Sequence, residues 1–186
     1  MDNPPMSSWD EIVRTHSARV YHFAYRLTGN RHDAEDLTHD VFVRVFRYLH
    51  TYREDTFEGW LYRITTNLFF DQYRRRKRIR FDELSNDLCH RLPAREPGPA
   101  QVLDYCTLDH DVQLALTELD PRLRAAVVLR DIETLSYREI AAVLGVEVGT
   151  VGSRVHRARA RLRTSLAHRA PRSRPKAATT VRSSTP

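Results

Sequence analysis

The sequence predicts an all-α protein of two small helical domains joined by an extended linker, and three observations carry that prediction. Apolar residues recur at helical spacing in two separated blocks, helix-capping signatures open several segments, and a Pro-containing stretch without periodicity lies between the blocks. The 186 residues allow one large domain or two small ones, each with a modest core. The expected boundaries are 1–80 for the first domain, 81–110 for the linker, 111–168 for the second domain and 169–186 for a tail.

Ser8 and Glu11 form a capping box, after which Trp9, Ile12, Val13, Val20, Phe23, Ala24 and Leu27 mark one helical face until Gly29 ends it. Asn30 or Asp33 can cap the next helix, whose apolar stripe is Leu37, Val41, Phe42, Val45, Phe46 and Leu49. Thr56 can cap a third, with Phe57, Trp60, Leu61, Ile64 and Leu68 inward, and this helix runs into the basic stretch from Arg74 to Arg80. Pro93, Pro97, Gly98 and Pro99 then interrupt any helix. Periodicity resumes near Asp111 with Val112, Leu114, Ala115, Leu116 and Leu119. Asp120-Pro121 supplies an N-cap with Pro at the first helical position, and that helix is expected to continue to Asp131. Beyond about Arg169, Pro, Ser/Thr and basic residues without an apolar face predict a disordered basic tail.

The net charge of +6 conceals segregation: residues 1–80 carry +3, 81–111 carry −5 and 112–186 carry +8. A basic C-terminal third suits a phosphate backbone, since each neutralised phosphate releases counterions. The chain has no apolar run of about 18 residues and its start has no apolar signal core, so neither membrane insertion nor secretion is expected, and the expected location is the cytoplasm. Cys89 and Cys106 have no partner at metal-ligand spacing and are read as plain thiols, with no metal and no cofactor expected.

The second block contains a helix-turn-helix pattern. Ser136 and Glu139 form a capping box, Tyr137, Ile140, Ala141 and Leu144 point inward, and Gly145 ends the short helix. The following helix buries Val151, Val155, Ala158 and Leu162 and presents Thr150, Ser153, Arg154, Arg157 and Arg161 on the opposite face. In such motifs the N-terminal part of the second helix enters the major groove. Arg154 is thus expected at a guanine edge, and Arg157 and Arg161 at phosphates. An arginine face alone is often only a solvated surface; the capped helix and Gly turn before it are what make it a DNA reader. Gly152 weakens that helix, or lets a backbone approach closely.

In the first block Asp33, Glu35, Asp36 and Asp40 crowd one side of the second helix, an arrangement that serves helix capping, solubility or a partner-binding face. No nucleophile, metal-ligand set or phosphate loop accompanies them, so no catalytic residue and no small-molecule substrate is expected.

The run from Asp33 to Phe42 resembles region 2.2 of the extracytoplasmic-function sigma factors, and Phe57 to Ile64 with Asn67-Leu68 resembles their regions 2.3 to 2.4. Leu135 to Ala141 and Gly149 to Arg159 resemble region 4.2. The match spans about residues 9–168 in the family's order, and the likeness is greatest to the actinobacterial sigma-E-type group. The resemblance implies an alternative sigma factor with no chemistry of its own, which binds core RNA polymerase at the β′ clamp helices and the β flap and directs it to promoter DNA. It assigns Asp33, Glu35, Asp36, His39 and Asp40 to polymerase docking. It assigns Trp60, Arg63, Asn67, Asp71, Arg74, Arg75 and Arg76 to the −10 element, as stacking platform and single-strand holders, although Trp60 suits the core equally well. The −35 element falls to Thr150, Ser153, Arg154, Arg157 and Arg161. The acidic linker would thread the RNA-exit region, and a cognate anti-sigma factor would mask both DNA faces. The chain departs from the family at His39, where Gln is usual, and at Gly152, where Lys or Arg is frequent.

Two other classes compete. A stand-alone helix-turn-helix repressor would bind duplex without polymerase and would usually dimerise, yet no dimer or ligand domain is evident. A recombinase or nuclease would need a nucleophile with an Arg set or a carboxylate metal site.

Overall fold

The computed structural model describes residues 9–52, 56–85 and 109–169, which contain helices and no strand. The Ser8 capping box, most of the linker, both cysteines and the tail lie outside them.

Helix α1, Trp9–Thr28, buries Ile12, Val20, Phe23, Ala24 and Leu27 on one face. It stops at Gly29, whose φ of +84° is open to glycine and whose N–H bonds to Tyr25 O at 2.8 Å. Helix α2, Arg31–Tyr48, is capped by Asn30, whose side chain accepts from the Asp33 N–H at 2.9 Å. It buries Ala34, Leu37, Val41, Phe42 and Val45 against α1, and a 3₁₀ turn, Leu49–Thr51, follows it. Helix α3, Phe57–Ser85, starts at Thr56, whose hydroxyl accepts from Gly59 N–H at 3.2 Å. It continues to Ser85, five residues past the expected boundary, because no Gly or Pro interrupts it before Pro93.

The second half begins at α4, His110–Glu118, where the Asp109 side chain accepts from Asp111 N–H. Helix α5, Pro121–Val127, is capped by Asp120 with Pro121 at its first position. The sequence reading carried this helix to Asp131 as an α-helix; instead Val128–Ile132 is a π-turn. The wider turn closes through Glu133 N–H to Val128 O and Leu135 N–H to Leu129 O, both 3.0 Å, with Thr134 left-handed at φ +61°. Helices α6, Tyr137–Leu144, and α7, Val148–Ser165, form the helix-turn-helix, and a 3₁₀ turn at Ala167–Arg169 ends the described chain.

Each half has its own apolar interior, yet the two interiors join. Phe23, Leu27, Leu37 and Trp60 belong to one continuous buried cluster with Leu116, Leu129, Val151 and Val155. Helices α4 and α5 pack on α1, and α6 packs on α3. The sequence reading of two separate modules did not anticipate this contact, because apolar periodicity shows that a face is buried and not what covers it.

Candidate nucleic-acid interface

The helix-turn-helix is built by local chemistry. Ser136 Oγ accepts from Glu139 N–H at 3.3 Å while Glu139 accepts from Ser136 N–H at 2.7 Å, which completes the capping box. The same bonds hold the Glu139 carboxyl below its ordinary range. Gly145, at φ +61° and ψ +43°, turns the chain sharply, and Val146 N–H reaches back to Ala141 O at 3.1 Å. Glu147 then starts α7 without a side-chain cap, its carbonyl accepting from Thr150 N–H at 2.9 Å and Val151 N–H at 3.2 Å.

Val151, Val155 and Ala158 are fully buried and fix the rotation of α7. That rotation brings the five predicted readers to one side. Ser153, Arg157 and Arg161 are exposed, and Thr150 and Arg154 are half-buried. Ser153 Oγ donates to Thr150 O at 2.9 Å, and Arg157 Nε donates to Ser153 O at 3.3 Å. The charge on Arg154 is disfavoured by burial and by Arg122 and Arg157 beside it, while Asp120 opposes the effect. Arg122, exposed in the first turn of α5, is thus a further cation on this surface that sequence spacing missed, because it lies on another helix. Arg159 is drawn aside by a bidentate pair with Asp131 of the π-turn at 3.0 and 2.5 Å.

The α3 residues divide. Arg63 and Asn67 are exposed, and so are Arg74 and Arg75, with Arg74 paired to Asp71 one turn back. Trp60 is 9% exposed and packs on Tyr52 and Phe57 at ring separations of 5.1 and 5.6 Å, so it is core and offers no open platform. Among the described side chains of this helix the exposed aromatic is Tyr73, at 45%, beside Arg74 and Arg76 along an open cleft that also takes in Gln72 and Phe69. Arg76 makes two bonds, 2.5 and 2.6 Å, to the Asp33 carboxylate. Two residues predicted for different surfaces therefore hold each other and fasten α3 to α2.

On α2, burial raises the Asp33 carboxyl, but hydrogen bonds from Arg76 and Asn30 and the Arg76 charge outweigh it and leave the group below its ordinary range. Glu35 pairs with Arg31 at 2.7 Å, Asp36 lies 3.6 Å from His32, and Asp40 accepts from Gln72 at 3.3 Å. Asp36, His39 and Asp40 remain on an exposed strip. Phe46 corrects the sequence reading: it was expected in the core but is 65% exposed, resting edge-on against Trp9 at 5.0 Å. With Val43 at 44% it extends the acidic strip by an apolar end at helical spacing. Among the described residues no helix is long and apolar enough to cross a membrane, and no cluster of three His, Cys, Asp or Glu could hold a metal.

Residues 12–79 match the family model for sigma-70 region 2, and residues 109–162 match that for sigma-70 region 4. The chain is 58% identical over 166 residues to the ECF RNA polymerase sigma factor SigE of Mycolicibacterium smegmatis, an alignment covering 89% of this chain and 64% of that longer protein. It is 31% identical to the ECF RNA polymerase sigma factor SigW of Bacillus subtilis, covering 84% of this chain and 87% of the relative. Its fold resembles the sigma factor RpoE of Bartonella quintana, solved in complex with the anti-sigma factor NepR, with a TM-score of 0.69 and 29% identity over 86% of this chain and 96% of that one. The chain belongs to the extracytoplasmic-function (ECF) group of the sigma-70 family of RNA polymerase sigma factors.

Proposed function

We propose that this protein is an alternative sigma factor that binds core RNA polymerase in the cytoplasm, directs it to promoters with −35 and −10 elements, and helps to separate the strands at the latter. The observation that carries this reading is the coexistence, in one chain, of two unlike basic helical faces. One is a helix-turn-helix with Thr150, Ser153, Arg154, Arg157 and Arg161 outward on α7. The other is a single long helix, α3, with Arg63, Asn67, Arg74 and Arg75 outward. The first suits duplex in the major groove, and the second suits an unpaired strand.

In this reading Arg154 reads a base edge and Arg122, Arg157 and Arg161 hold phosphates. Tyr73 takes the stacking role that Trp60, being core, cannot fill. Asp36, His39 and Asp40, with Glu35 alongside, meet the polymerase clamp, and Val43 and Phe46 add an apolar anchor to that contact. Asp33 acts indirectly, through Arg76. The solved relative's anti-sigma complex supports a cognate anti-sigma factor for this chain as well.

Run-off transcription with purified protein and core polymerase on a promoter library, beside binding of the protein alone to the same DNA, decides the matter. Polymerase-dependent, promoter-specific transcripts are expected. Tight specific duplex binding without polymerase, and no transcripts, would replace this reading with a stand-alone repressor.

A further inference from the structure

The reading side chains of α7 can discriminate bases only if the rotation of that helix about its own axis is fixed. A roll of about 20° carries a side-chain head at the outer helix radius of about 5–6 Å through roughly 2 Å, several times the tolerance of a hydrogen bond. The buried stripe of α7 is narrow and built from small side chains, Val151, Val155 and Ala158. It fixes where the helix lies against α5 and α6. Small apolar side chains interdigitate shallowly, however, and resist rolling only weakly.

A polar bracket supplies the missing constraint. Arg159 follows Arg154 by about 140° round the helix and roughly 7.5 Å along it, so it stands on the flank of α7 away from the base-reading arginine. There its Nε and one terminal nitrogen both donate to the Asp131 carboxylate, at 3.0 and 2.5 Å. A two-point pair of planar groups is geometrically exacting in a way that a single bond or a point charge is not. Because it acts off the helix axis, on the side away from the readers, it opposes rotation directly. As a half-exposed pair it adds little to stability, so its consequence is orientation.

Asp131 is itself held in place. It belongs to the π-turn Val128–Ile132, where Glu133 N–H closes on Val128 O at 3.0 Å. This wider turn carries Asp131 out of the phase it would have in a continued α5. The adjacent Arg130 donates to Leu135 O at 2.8 Å and places its guanidinium 5.2 Å from the centre of the Tyr137 ring. Tyr137 in turn closes on α7, since its ring edge lies 3.8 Å from the position a Cβ would take on Gly152. The π-turn therefore grips α7 at Arg159 directly and at Gly152 through the start of α6.

We propose that Asp131 and Arg159 are positioning residues for −35 recognition: their pair sets the roll of α7, and with it which base edges Arg154 reaches. This rests on the reading of α7 as the −35 reader given above. Neither residue lies on the reading face, so loss of the pair relaxes sequence discrimination and removes no phosphate contact.

The test uses the full chain assembled with core polymerase on promoter fragments that carry the −35 sequence selected from the library, or single-base changes in it. Asp131→Asn, Arg159→Gln and the double variant are compared with wild type by competition between the fragments over a range of salt concentrations. Circular dichroism should show intact helices and a melting temperature within about 4 °C of wild type, as loss of a half-exposed pair allows. Each single variant is expected to lower the ratio of affinities for the selected and altered −35 sequences about 3- to 30-fold, part of the discrimination that one base contact supplies. The double variant should lose no more than either single, because both remove one interaction. The slope of log affinity against log salt should stay unchanged in all three. An unchanged ratio in both single variants, whatever the overall affinity, would overturn the positioning role. Additive losses would show the two residues acting separately and would overturn the pair. A slope shallower by about 0.9 in Arg159→Gln alone would assign Arg159 to a phosphate and overturn the proposal as well. A wild type that binds these promoters with no −35 discrimination would overturn the reading of α7 and the proposal together, whereas wild-type discrimination with unchanged variants would overturn the proposal alone.

Discussion

Thr134 is the described non-glycine residue held at positive φ, +61°, and it joins the π-turn to the Ser136 cap. A β-branched side chain in that region is strained by about 1–2 kcal/mol, of which glycine's extra unfolded-state freedom takes back part. Thr134→Gly should therefore stabilise the protein by about 0.5–1 kcal/mol, a rise of roughly 1–4 °C in melting temperature. Gly145, at the same φ with open space around its Cβ position, is the control: Gly145→Ala should lose about 1 kcal/mol for backbone reasons alone. Melting curves that move together, in either direction, would contradict the strain argument. Gly152 differs again, since a Cβ there meets only the edge of Tyr137 at 3.8 Å, an ordinary contact. Gly152→Lys should recover about 1 kcal/mol of helix propensity and add one phosphate contact beside Arg154. Binding to a −35 duplex should tighten, and the slope of log affinity against log salt should steepen by about 0.9. An unchanged slope would mean that position 152 does not face the backbone.

At the level of whole helices, the most informative contrast lies along α3. Trp60 and Tyr73 are both aromatic on a basic helix, but one is 9% and the other 45% exposed. Trp60→Ala should cost about 3–5 kcal/mol of stability as a cavity. Tyr73→Ala should leave melting nearly unchanged and weaken polymerase-dependent binding of a single-stranded −10 oligonucleotide by about 1–3 kcal/mol. Equal oligonucleotide binding by Tyr73→Ala and wild type would remove the stacking role. The sequence could not separate these two residues, because helical period places both near an apolar stripe without saying where the bundle ends. What it did disclose was local: Asn30, Asp120, Ser136 and Gly145 act within four residues of themselves, and each cap stands where composition placed it. The π-turn escaped notice because it depends on bonds such as Leu135 to Leu129 that no propensity encodes. Phe46 escaped because it sits at the edge of its stripe, where a small rotation of α2 decides exposure. The Arg76–Asp33 and Arg124–Leu27 bonds span 43 and 97 residues, beyond any reading of spacing.

For the molecule as a whole, His16, His22 and Asp33 divide the acid response into two steps. Burial and then the Arg19 charge lower His16, which rests against Phe57 at a ring separation of 5.0 Å. Burial and then Arg26 lower His22, which lies beside Tyr21, while Glu133 pulls it the other way. A base whose pKa falls on folding binds fewer protons in the native state than in the unfolded chain, so stability rises with pH between the two values. The contribution of His16 and His22 is therefore complete above their ordinary value of 6.5 and is lost as pH falls from there through their lowered native values. Asp33 carries the same sign in a more acidic window. Its native carboxyl lies below the ordinary 3.8, so its pair with Arg76 contributes above that value and is lost only in stronger acid. Thermal unfolding followed from pH 8 downward should show a first decline beginning near neutrality and a second below about pH 4. His16→Gln with His22→Gln should flatten the first step and leave the second, and Asp33→Asn should do the reverse. A first step that persists in the double histidine variant would show that other groups govern the approach to acid.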